Sequence, residues 1–114
     1  MIFELRQYTP NPGKETVMSE RFLKTLPLFK RHGLTTVAAF HPVEDAKQLW
    51  YLLSFESESA REAAWAAFLA DPEWLSIKQQ SEANGPVLEK LQKFILTGDE
   101  AVAKALSNKP HVSQ

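Results

Sequence analysis

The stretch Met1–Lys14, MIFELRQYTPNPGK, decides how the rest of the chain is arranged. From Ile2 to Thr9 its residues alternate with the two-residue period of a strand. Phe3 and Leu5 fall on one face, and Glu4, Arg6 and Tyr8 on the other. An acid, a guanidinium and a phenol therefore share one side of a strand that opens the fold. If later segments wrap this strand it is central, and a central strand with such a face is where chemistry is expected. Pro10-Asn11-Pro12-Gly13 is a turn signal that ends it.

Outward from that turn, Lys14 onward reads as a helix with Val17, Met18, Phe22, Leu26 and Phe29 on one stripe. Pro27 cannot donate to the carbonyl of Leu23, which predicts a kink or a restart, and His32-Gly33 supplies the stop. Leu34–Val43 and Lys47–Phe55 are rich in β-formers, and Glu44-Asp45-Ala46 between them reads as the tight connection of a hairpin. In its second arm Leu49-Trp50-Tyr51-Leu52-Leu53 is apolar at both parities, the pattern of a strand buried on both faces.

Ser57 or Ser59 caps the next helix, with Ser59 and Glu62 at capping-box spacing and Ala60, Ala63, Ala64, Ala67 and Phe68 at helical intervals. Asp71-Pro72 is a second start signal, continuing the helical region to Ala83 before Asn84-Gly85-Pro86 stops it. Val87–Thr97 holds the last strand, Asp99–Leu106 has the pattern of a short helix, and the final residues read as disordered.

The order β-α-β-β-α-β predicts a ferredoxin-like α+β sandwich over residues 1–97, with an antiparallel sheet, both helices on one face and residues 98–114 as a tail. Helices on one face leave the other open. Yet Leu49–Leu53, with Leu34, Val37, Phe40, Phe94 and Ile95, places apolar groups on both. At about 25 cal/mol per Å² of apolar area, leaving several of them wet forfeits several kcal/mol, comparable with a domain's net stability. The sequence thus predicts a homodimer whose sheets face each other.

Composition narrows the function classes. With 114 residues, 44% hydrophobic and 24% charged, the chain has an ordinary globular composition and the length of one domain. The absence of cysteine excludes disulfides, thiolate metal sites and cysteine nucleophiles. A net charge of −1 with scattered Lys and Arg argues against nucleic acid as a partner. No apolar run has the length of a membrane span and no charged leader precedes the first strand, so the expected address is cytoplasmic. The four glycines form no phosphate loop, nucleophile elbow or dinucleotide fingerprint, so no cofactor is expected. His32 and His41 are too far apart for a local ligand pair, so no metal is expected either.

Several of these stretches also resemble a known family. The opening FELRQYTPNPGK is similar to the start of the NIPSNAP domain, and the likeness extends through Leu26-Pro27-Leu28 with His32-Gly33, Leu49-Trp50 and Ala70-Asp71-Pro72-Glu73-Trp74. It covers Phe3 to Leu96. The resemblance implies a dimeric α+β barrel and little about chemistry. Where relatives often end in a Pro-rich segment, this chain has Thr97-Gly98-Asp99-Glu100.

The residues that can carry chemistry are few. Arg6 supplies a fork of donors for an anion or carbonyl, Glu4 orients it, and Tyr8 is a candidate for proton transfer. The alternative for Glu4 and Arg6 is a structural ion pair. His41, near a strand end, is the other catalytic candidate, or else simply a histidine at the sheet rim. His32 fits a helix-dipole role, and His111 is assigned none. Trp50, Tyr51, Trp65, Phe68 and Trp74 are core or the walls of an apolar pocket. With Glu4, Arg6, Trp50, Tyr51 and Trp74 as ligand contacts, the first reading is a module binding a small apolar or carboxylated molecule. The alternatives are a cofactor-independent monooxygenase or isomerase acting on an aromatic substrate, and a protein-interaction scaffold.

Overall fold

The computed structural model describes residues 1–108. The expectations of disorder and of no role for His111 in the last residues lie outside the described residues. The chain runs β1 (Ile2–Pro10), α1 (Glu15–His32), β2 (Thr35–Phe40), β3 (Leu49–Phe55), α2 (Glu58–Leu69), α3 (Pro72–Ser81), β4 (Leu88–Thr97) and α4 (Glu100–Ser107). The strands form one antiparallel sheet of order β2-β3-β1-β4, with β1 inside it. This is the ferredoxin-like α+β arrangement that the element order predicts.

Register puts Arg6 opposite Tyr51 on β3 and opposite Lys93 on β4, and Tyr8 opposite Leu49 and Leu91. Residues of one parity therefore meet the helices. Leu49, Tyr51, Leu53 and Phe55 are buried there, and with Leu28, Phe29, Leu34, Ala64 and Phe68 they make the core. A smaller cluster of Met18, Leu49 and Val87 closes the end of the sheet near the first turn. Burying a Leu or Phe of this kind contributes about 1.5–3 kcal/mol, so these residues dominate the stability.

The opposite parity is left open. Trp50 and Leu52 are only half-buried, and Phe40, Phe94 and Leu96 are 47%, 45% and 46% exposed. The both-faces burial expected of Leu49–Leu53 is therefore met on one face within a single chain.

Local detail corrects three expectations. First, α1 does not restart at Pro27 but runs through it. Pro27 and Leu23 both lie on the exposed side, where water can satisfy the Leu23 carbonyl that Pro27 leaves without a donor. Second, the hairpin connection is longer than Glu44-Asp45-Ala46, because β2 ends at Phe40 and β3 begins at Leu49. Pro42 has no N–H for a ladder, and Asp45 instead organises the loop by accepting from the Lys47 backbone N–H and the Gln48 side chain. Pairing about Asp45 still holds where Phe40 meets Trp50 and Ala39 meets Tyr51.

Third, α3 is a separate helix ending at Ser81, started by Asp71 with Pro72 in its first turn. Of the two serines expected to cap α2, Ser57 does so, accepting from the Ala60 N–H. Asp99 caps α4, and the Met1 ammonium meets Glu100 at 3.3 Å.

Candidate functional site

The site is built on the polar face of β1. Glu4 is fully buried, and both of its oxygens are taken. Its Oε2 accepts from Arg6 Nη1 at 2.7 Å, while Oε1 accepts from Trp65 Nε1 at 2.8 Å and Arg61 Nη1 at 3.1 Å. Burial by itself would raise the carboxyl's pKa, but hydrogen bonds from Arg6 and Trp65, the charge of Arg6 and the bond from Arg61 outweigh it. The pKa is held below the ordinary carboxylate value, so Glu4 is an anion at neutral pH.

Arg6 lies beside it, and its Cζ stands 4.5 Å from the centroid of the Trp65 ring and 5.6 Å from that of Tyr8. Burial disfavours its charge, but Tyr8, Tyr51 and Glu4 more than offset that and raise its pKa, so it stays a cation. Its Nε donates to Tyr8 Oη at 3.3 Å. Among the described residues its Nη2 has no acceptor.

Behind Tyr8 sits Tyr51, with the two hydroxyl oxygens 2.6 Å apart. Tyr51 is fully buried, and burial first, then the neighbouring Tyr8, pushes its pKa well above 10.0, so it is a neutral phenol. A buried O–H requires an acceptor. Among the described residues the one within reach is Tyr8 Oη, which makes Tyr51 the donor of that bond. Tyr8 then accepts from both Tyr51 and Arg6, and its own proton is left to donate elsewhere.

Arg6 and Tyr8 line a cavity of about 230 Å³ between the sheet and α1, α2 and α3. Phe22 and Phe29 of α1, Trp65 and Phe68 of α2 and Trp74 of α3 supply its aromatic walls, with Arg21, Lys78 and Glu82 also lining it. The helix α3 is pinned at both ends. At its start Asp71 Oδ2 lies 2.7 Å from His32 Nε2 and accepts from Arg31 Nη1 at 3.0 Å. The His32 bond, then the Glu73 backbone N–H and Arg31, lower the Asp71 pKa against the opposing effect of burial. At its end Arg21 reaches Ser81 Oγ at 3.2 Å and Glu82 at 3.6 Å.

The sequence candidates separate accordingly. Arg6, Tyr8 and Trp74 come together at the cavity, Tyr51 supports Tyr8 from behind, and Glu4 holds Arg6. Trp50 does not join them: it has the opposite parity to Tyr51 on β3, and its Nε1 donates to Gln48 Oε1 at 3.0 Å. His41 lies on the exposed connection after β2, with Nδ1 2.7 Å from the Gln48 carbonyl oxygen. His32 is a clasp between helices. Arg61, which anchors Glu4, was not singled out by the sequence; its spacing of four residues from Trp65 on one helix face was the available signal. Among the described residues no group of acidic and histidine side chains could hold a metal ion. No helix of the described residues is long and apolar enough to cross a membrane.

Comparison with known proteins agrees with this architecture. Among curated proteins none matches the chain. An uncharacterized NIPSNAP-like domain protein from Burkholderia xenovorans superposes with a TM-score of 0.73 at 22% identity, covering 86% of this chain and 84% of that one. A NIPSNAP family protein of unknown function from Agrobacterium tumefaciens gives 0.71 at 21% identity, covering 84% and 86%. A putative antibiotic biosynthesis monooxygenase from Nitrosomonas europaea gives 0.62 at 12% identity, covering 86% and 98%, a likeness of fold alone. The sequence pattern of one family matches residues 3–99, from the polar strand to the cap of α4. The chain belongs to the NIPSNAP family.

Proposed function

We propose that this protein is a homodimer that binds a small, planar, largely apolar molecule carrying a carbonyl or carboxylate group, in the cavity between sheet and helices. The observation that carries this reading is the hydrogen-bond arithmetic at its floor. Glu4 and Tyr51 are satisfied within the protein, whereas the Tyr8 proton and one nitrogen of Arg6 have no acceptor among the described residues. Two unused donors beside aromatic walls fit a ligand with an oxygen acceptor on a flat body. The dimer reading rests on the open sheet face, where Phe40, Phe94 and Leu96 remain about half exposed.

A second reading has the same pocket perform cofactor-independent monooxygenation of an aromatic substrate, with dioxygen as the oxidant, or its isomerisation. Tyr8, with Tyr51 behind it, would then donate a proton to the substrate oxygen. The fold shared with a putative monooxygenase favours weighing it, as analogy. This reading routes the proton through Tyr8 and makes no use of His41, which is not among the residues that line the cavity.

Native mass spectrometry of freshly purified, full-length protein tests the proposal. A dimer carrying a defined small-molecule mass that Arg6→Met abolishes is the expected result. A monomer at micromolar concentration would remove the dimer. An adduct retained equally by Arg6→Met would remove the assigned site, and turnover of that molecule by wild type but not Tyr8→Phe would select the enzyme reading.

A further inference from the structure

We infer that Thr25 sets the specificity of the cavity, selecting a ligand that carries a neutral hydroxyl group besides its carbonyl or carboxylate, with that hydroxyl donating to Thr25 Oγ1. This recognition rests on the cavity reading above and adds the group met on the helix side. Thr25 lies in the middle of α1 on the stripe of Phe22 and Phe29, three residues after one and four before the other. Both rings stand against Tyr51, at centroid distances of 4.7 and 5.9 Å, so this turn of α1 faces the tyrosine pair of the floor.

Thr25 is 4% exposed and lines the cavity. Its proton is spent within the helix, on the Arg21 carbonyl at 2.7 Å. Among the described residues nothing donates to Oγ1 in return. A hydroxyl has one proton and two lone pairs, so what Thr25 keeps for a ligand is acceptor capacity alone. The cavity is thereby polarised: Arg6 and Tyr8 offer donors from the sheet, and Thr25 an acceptor from α1.

Charge decides which donor suits it. Arg6 is paired with Glu4 and Arg21 with Glu82, which leaves Lys78 in the lining and no unpaired acid. An ammonium on the ligand would meet a net positive lining, whereas a neutral hydroxyl meets no such penalty. Glu82, the other side-chain carboxylate of the lining, is a third exposed and faces Arg21, so water and Arg21 satisfy it. Thr25 is shut away from water, and an isostere without the proton would leave its lone pairs unmet under the bound ring.

Calorimetric titration of the full-length protein with 3- and 4-hydroxybenzoate and the matching fluorobenzoates tests this, because fluorine is close to a hydroxyl in size and has no proton to give. The better hydroxybenzoate is expected to bind wild type about fivefold tighter than its fluoro counterpart. That preference should vanish in Thr25→Val, which keeps the shape, and persist in Thr25→Ser, which keeps the hydroxyl. A merely structural threonine would change both affinities together and leave their ratio alone. Equal affinities in wild type, a comparison that needs no variant, or a preference that survives in Thr25→Val, overturn the role of Thr25; if Arg6→Met still weakens every probe, the cavity proposal stands. No saturable binding of any probe, or binding that Arg6→Met leaves unchanged, removes the cavity site and the role of Thr25 with it.

Discussion

Replacing Glu4 with Gln tests the reasoning at its centre, because the carboxylate is fully buried and serves three donors at once. Gln keeps one oxygen, which can continue to accept from Trp65 and Arg61. Its amide nitrogen then faces Arg6 Nη1, donor against donor, and leaves the guanidinium, 11% exposed, without its counter-charge. Breaking one side of a buried ion pair typically costs 3–5 kcal/mol, and the retained oxygen places this case at the lower end, about 3 kcal/mol. For a domain of this size that loss corresponds to a fall of roughly 10–20 °C in Tm.

Urea denaturation at fixed protein concentration measures the loss, and a cycle with Arg6→Met isolates the coupling. Removing Arg6 from the Glu4→Gln protein should cost much less than removing it from wild type. The pH dependence has a defined sign. The folded pKa of Glu4 is depressed, so its contribution is fully present above its unfolded value of 4.5 and is lost as pH falls through the lower folded value. The gap between wild type and Glu4→Gln should therefore narrow only in acid. A loss under about 1 kcal/mol at neutral pH, with no coupling to Arg6, would refute the account of the buried network.

Two further outcomes follow from the same geometry. Tyr8→Phe leaves the Tyr51 hydroxyl buried with no acceptor and should cost about 1–3 kcal/mol in the same urea assay. Adding Tyr51→Phe should restore part of that loss, and a double variant no more stable than Tyr8→Phe would show that Tyr51 is not the donor. Asp71→Asn keeps a competent N-cap but removes the charge that meets His32 and Arg31. Hydrogen exchange should then quicken in α3 while α2 is unchanged, and equal protection in both proteins would mean that the clasp does not hold the helix.

The polar face of β1 was readable because strand periodicity is local: Glu4, Arg6 and Tyr8 share a side whatever surrounds them. The element order and the start of α3 at Asp71-Pro72 were readable for a similar reason, since turn and cap preferences act within a few residues. His41 and Trp50 show where that reach ends. His41 has the residue type for catalysis and lies near a strand end, but its distance from the cavity depends on how the hairpin connection folds. Trp50 is as aromatic as Trp65, and pleat parity alone sends it to the other face. Arg61, Trp65 and Lys93 meet β1 only through long-range packing and strand register.

From its sequence alone, then, this chain reads as an α+β fold with a polar opening strand and more apolar surface than one helix layer can cover. Those properties depend on spacing and composition, which are present in the unfolded chain. Tertiary structure decided which donors remain free. That depends on which side chains come within 3 Å or so of one another, and a buried hydrogen bond forms or fails over a few tenths of an ångström that no local pattern encodes.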